Sequence, residues 1–124
     1  MLSADPLGVS RFIRAHAELR HVLGGTPVTV VANRVRPGPL GIDARGQIRR
    51  TLDRFAGIDD VAFVPEDQRA ADAAALHARA IADVSPRSPL VTAVRRIASS
   101  LGARAETATA GSSRGSSRVA RRLR

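Results

Sequence analysis

The apolar positions change period several times along the chain, and each change marks an element. Val9, Phe12, Ile13, His16, Leu19 and Leu23 recur at three- and four-residue intervals, the spacing that lines one face of a helix. Asp5-Pro6 ahead of them is an N-cap followed by proline at the first helical position, and Gly24-Gly25 is a stop, so a helix over Pro6–Leu23 is expected. Val28-Thr29-Val30-Val31-Ala32 is a β-branched run without clean alternation, which suits a strand covered on both faces, as in a parallel sheet. Residues 33–41, with Pro37, Gly38, Pro39 and Gly41, are expected to form a loop. Ala44, Ile48, Leu52 and Phe55 then make the apolar stripe of an amphipathic helix ended by Gly57, whose other side carries Arg45, Arg49, Arg50 and Asp53. Val61-Ala62-Phe63-Val64 is a second short strand closed by Pro65, and Asp67 caps an Ala-rich helix reaching about Arg79. Ser88-Pro89 repeats the cap-and-proline start, with Leu90, Val94, Ile97 and Leu101 as the buried stripe and Gly102 as the stop.

Two strands alternating with four helices predict an α/β fold, a partial doubly wound parallel sheet, because parallel neighbours need crossovers that cover the faces. Complete folds of this kind carry about five strands or more. The sequence is therefore expected to enter its domain partway, with residues 1–4 as the stump of a preceding strand. Residues 1–102 are expected to be the folded part, and residues 103–124, rich in Ser, Thr, Gly and Arg, a disordered basic tail.

Composition narrows the chemistry. A chain of 124 residues with 44% hydrophobic content supports one modest core. Its only aromatics are Phe12, Phe55 and Phe63, so the packing is aliphatic. The absence of cysteine excludes disulfides, thiol catalysis and thiolate metal sites. No apolar run approaches the roughly 20 residues of a membrane span. The amino terminus lacks a signal peptide's basic start and apolar centre, and a cytoplasmic location is expected, with peripheral attachment at membrane or nucleoid left open.

The formal charge is +9, and residues 103–124 contribute six Arg against one Glu. Elsewhere 14 Arg face ten acids, so the body reads as mildly basic and the tail as the carrier of the excess. Every positive residue is Arg. A Lys-free, Arg- and Ala-heavy chain fits a GC-rich coding sequence, so Arg usage alone is no argument for phosphate recognition.

Two strings carry a resemblance: Val30-Val31-Ala32-Asn33-Arg34-Val35 and Val61-Ala62-Phe63-Val64-Pro65-Glu66-Asp67-Gln68. In order and separation they resemble the late strands of MinD/ParA-like P-loop ATPases, where one strand ends in Asn-Arg and the next in a Pro-Glu-Asp or Pro-x-Asp turn. Asp5-Pro6-Leu7-Gly8, leading into an Arg/Leu-rich helix, also resembles the preceding helix of actinobacterial septum-site and pilus-assembly relatives. The match covers about residues 4–102. The resemblance implies ATP as cofactor, with Asn33 reading the adenine edge through its amide, Pro65 and the following backbone lining the other side, and Arg34, Glu66 and Asp67 beside them. It also implies a homodimer or a complementing amino-terminal half as partner, with Mg required only when that half is present. Read from the residues alone, Asn33 caps a turn, Glu66 and Asp67 stabilise a helix N-terminus, and Arg34 and Arg36 face phosphates or, the preferred reading, solvent.

The family's phosphate loop needs glycines whose N–H groups wrap the phosphates, a Lys for the β/γ oxygens and Ser/Thr for Mg²⁺. The chain has no lysine, and Gly38-Pro39-Leu40-Gly41 is a turn whose proline removes a donor. No catalytic residue is assigned, and hydrolysis by these residues alone is not expected. His16 lies on the first helix's apolar stripe and reads as a core or rim histidine; His16, His21 and His77 match no zinc spacing. A second class of function competes with the first: a basic interaction module holding DNA or an anionic membrane through the Arg-rich tail.

Overall fold

A computed structural model describes residues 1–36 and 43–120, with side chains described through residue 107. The elements are β1 (Leu2–Ser3), α1 (Pro6–Leu23), β2 (Val30–Val35), α2 (Ala44–Ala56), β3 (Val61–Pro65), α3 (Gln68–His77), α4 (Ile81–Val84) and α5 (Pro89–Ala120). The chain forms two compact units, Met1–Ala93 and Val94–Arg124. In the first, an all-parallel sheet runs in the order β1-β2-β3, so the expected α/β class holds and the stump at the amino terminus is a paired strand. Leu2 stands opposite Ala32, and Val30 and Ala32 stand opposite Val61 and Phe63.

Right-handed crossovers between neighbouring parallel strands place α1 and α2 on one face of the sheet. Val9 from α1 and Ile48 and Leu52 from α2 accordingly close one core with Leu2, Val30, Ala32 and Val61. Alternation sends Val31, Ala62 and Val64 to the opposite face, where Val64 is buried and Val31 and Ala62 are only half-buried. The two-sided burial expected for these strands is therefore partial. Phe63, on the α2 side, lies half-buried beneath two guanidiniums, with Arg45 at 5.8 Å and Arg49 at 5.5 Å from the ring centroid.

The caps explain most boundaries. Asp5 and Asp43 accept from the Gly8 and Gly46 amides at 2.8 Å and 3.0 Å, starting α1 and α2. Gly24 (φ 53) and Gly57 (φ 64) end them in the left-handed region that glycine enters without a Cβ clash. His16 is buried, its ring 5.6 Å from that of Phe12, the core position its spacing indicated.

Several expectations need correction. The strand expected over residues 28–32 is displaced to Val30–Val35, because Val35 is buried and paired with Pro65; Asn33 and Arg34 belong to it, not to a loop. Phe55 is 62% exposed at the end of its stripe. α3 stops at His77, two residues short, and α4 is an additional helical turn. Gly102 does not end α5: it carries no positive φ, and without that left-handed cap a glycine is passed through. In the stripe expected along α5, Val94 and Leu101 are exposed, Leu90 and Ile97 are half-buried, and Val91 is the buried residue. Residues 37–42, which include the rest of the loop expected over 33–41, and residues 121–124 lie outside the described residues, as do the side chains of the tail from residue 108.

Candidate functional site

The carboxyl ends of β2 and β3 are adjacent, and one irregularity shapes them. After Ala32 pairs with Phe63, the next pair is Val35 with Pro65, so β2 spends one residue more than β3. That extra residue is a β-bulge, and Arg34 within it takes φ 60. For a residue with a Cβ this conformation costs on the order of 1 kcal/mol. Neighbouring contacts hold it. The Asn33 Oδ1 accepts from the Arg34 amide at 2.9 Å, and the Arg34 Nε and Nη2 donate to Glu66 Oε1 at 3.2 Å and 3.0 Å.

Glu66 is the hub of this rim. Its amide donates to the Val35 carbonyl at 3.1 Å, continuing the β2–β3 ladder past Pro65. Its carboxylate, 14% exposed, also accepts from Arg36, through Nε at Oε2 and through Nη2 at 2.8 Å at Oε1. The two guanidiniums remain 63% and 68% exposed. One carboxylate against two guanidiniums leaves this cluster one positive charge in excess, which the Asp67 carboxylate next along the chain balances across the rim as a whole.

Asp67 serves the next helix. It accepts from the Ala70 amide at 3.0 Å as the N-cap of α3 and from the buried Ser88 hydroxyl at 2.7 Å. Ser88 in turn accepts from the Leu90 amide at 3.2 Å, so one chain of hydrogen bonds joins the starts of α3 and α5. The Ser88 hydroxyl, and after it the Ala70 amide, holds the Asp67 carboxyl below its ordinary value of 3.8 by stabilising the charged form. Asn33 is half-buried and its carbonyl accepts from the Ala4 amide at 3.0 Å, which ties the end of β1 to the same rim.

Asn33, Arg34, Pro65, Glu66 and Asp67 thus come together at neighbouring strand ends. Asp67 caps α3, as its position suggested, whereas Glu66, expected to stabilise the same helix start, is paired with Arg34 and Arg36 instead. Arg34 and Arg36, both expected to face solvent, do remain largely exposed, and in addition both pair with Glu66. Ser88 was legible only as a helix cap; its bond to Asp67 spans 21 positions and has no local signal. The Asn33 amide is partly committed: Oδ1 accepts one bond and keeps one lone pair, and among the described residues the amino group meets no acceptor. That orientation is fixed by the Arg34 N–H, which requires an acceptor.

Among the described residues no group of three or more His, Cys, Asp or Glu side chains is placed to hold a metal ion, and no helix is long and apolar enough to cross a membrane. Compared with protein-family models, curated proteins and solved structures, the chain matches none.

Proposed function

We propose that this chain supplies the base-reading side of an adenine-nucleotide site, as part of a MinD/ParA-like ATPase with a homodimer surface that serves division-site selection, chromosome partitioning or pilus positioning. The observation that carries the reading is that Asn33 and Pro65 both lie toward the carboxyl ends of adjacent strands of a parallel sheet, the edge where open α/β sheets receive ligands. The amino group of Asn33 donates to a ring nitrogen of adenine, and the remaining lone pair of its Oδ1 accepts from the exocyclic amine. The Pro65 ring is an apolar wall for the base. The guanidiniums of Arg34 and Arg36, both largely exposed, offer N–H donors to the nucleotide's anion at the same rim.

Phosphate wrapping is a separate task that these residues do not perform. A chain without lysine has no group to grip the β/γ oxygens, so ATP turnover requires a glycine-rich loop from a complementing segment. Titration of the 124-residue chain with a fluorescent ATP analogue tests both halves of the proposal. Weak binding, with Kd on the order of 0.1–1 mM, insensitive to Mg²⁺ and lost in Asn33→Ala, is expected. Tight Mg-dependent binding would contradict the division of labour, and binding unchanged in Asn33→Ala would remove the base reader.

A further inference from the structure

The positive charge of the body is not spread evenly. α1 and α2 hold seven arginines against Glu18 and Asp53, a balance of +5, whereas the rest of residues 1–102 holds seven arginines against eight acids. Between the same two helices lies an open groove of about 560 Å³. Its floor is Val9 and Ile48, both buried, and one wall is Phe55, a ring left 62% exposed. Arg14 lines the groove, and the Arg54 guanidinium sits 5.3 Å from the Phe55 ring at its border, with Arg50 one turn earlier on α2. No ion pair forms at Arg14, Arg50 or Arg54 among the described residues. Of the acids, Asp5 lines the groove at the start of α1 and Asp43 precedes α2; each is engaged as a helix cap.

We infer that this groove docks an acidic amphipathic helix of a partner protein. An aliphatic floor with an exposed aromatic wall takes the apolar stripe of a helix, and the 13 residues of α2, about 20 Å long, match roughly four turns of one. The unpaired arginines set the sign of the flanks: carboxylates on either side of the stripe meet Arg14 on one helix and Arg50 and Arg54 on the other. A second copy of this chain is a poor occupant, because it would bring the same arginines against each other. A flat anionic bilayer satisfies the charge but not the concavity. The inference does not rest on the nucleotide reading, since none of Asn33, Arg34, Pro65, Glu66 and Asp67 lines the groove.

Fluorescence anisotropy of the full chain with a labelled synthetic helix of about 16 residues, Leu at i, i+3, i+4 and i+7 spacing and Glu on the flanks, tests it directly. Saturable binding is expected, weakened about tenfold by Phe55→Ala and by the pair Arg50→Glu, Arg54→Glu, with thermal unfolding unchanged because these side chains are exposed. A peptide of the same composition in scrambled order, and one with Lys in place of Glu, should bind at least about tenfold more weakly. Equal binding of the scrambled peptide, equal binding by the variants, or no saturable binding would overturn the inference. So would variant-sensitive binding to vesicles of equal parts phosphatidylcholine and phosphatidylglycerol without peptide binding, which would assign the face to a membrane.

Discussion

At the scale of the single residue, two acids stabilise helix starts and connect stability to pH. Asp67 is held below its ordinary carboxyl value by the Ser88 hydroxyl and the Ala70 amide, and Asp5 by the Ser3 hydroxyl and the Gly8 amide. A lowered folded-state value means that the unfolded chain binds protons first. The resulting stability is present above the ordinary value of 3.8 and is lost as pH falls through the folded-state value. Thermal unfolding followed by circular dichroism should therefore give a midpoint that drops on acidification below about pH 4. Asp67→Asn should lower the midpoint at neutral pH and shrink that acid limb; an acid limb of unchanged depth would show that the cap and the Ser88 bond do not carry it. Asn33 and Arg34 teach a different lesson. Both were legible as candidates, but the bulge that sets their geometry was not, because it arises from register against β3 and leaves no pattern in β2 itself.

At the scale of the element, α2 joins fold and surface. Leu52, fully buried, fixes its inner stripe, while Phe55 three residues later leaves the core. Leu52→Ala should cost about 2–5 kcal/mol and Phe55→Ala within about 0.5 kcal/mol, measured by urea denaturation. In a small unit of marginal stability the first change consumes much of the total. Comparable losses at both positions would mean that the apolar stripe is packed differently from this arrangement. Sequence signals located α1 at both ends, because cap, stripe and glycine stop agree at Asp5 and Gly24, and located the end of α2 at Gly57, while the Asp43 cap that starts α2 was not singled out. They failed where only one signal was present. Gly102 had the identity of a stop without the left-handed backbone, and β2 was started too early because Val28 is as β-branched as Val30.

At the scale of the whole molecule, charge and topology separate two tasks. The carboxyl ends of the strands gather Asn33, Pro65 and the Arg34–Glu66–Arg36 cluster, whereas α1 and α2 carry the body's positive excess around an apolar groove. Counting charge along the sequence assigned that excess to the tail and left the body mildly basic. Only the fold reveals that seven arginines share two neighbouring helices while the acids collect elsewhere. The order β1-β2-β3 was predictable in kind from strand and helix alternation, but the half-covered face bearing Val31 and Ala62 was not. The base-reading claim is tested most directly by two-dimensional ¹⁵N NMR of the full chain titrated with AMP, which carries the base and a single phosphate. The account expects the largest saturable shifts at the amides of Asn33, Arg34 and Glu66 and at the Asn33 side-chain NH2, all suppressed in Asn33→Ala. Shifts confined to the arginines of α1 and α2, or no saturable shift at the strand ends, would contradict it.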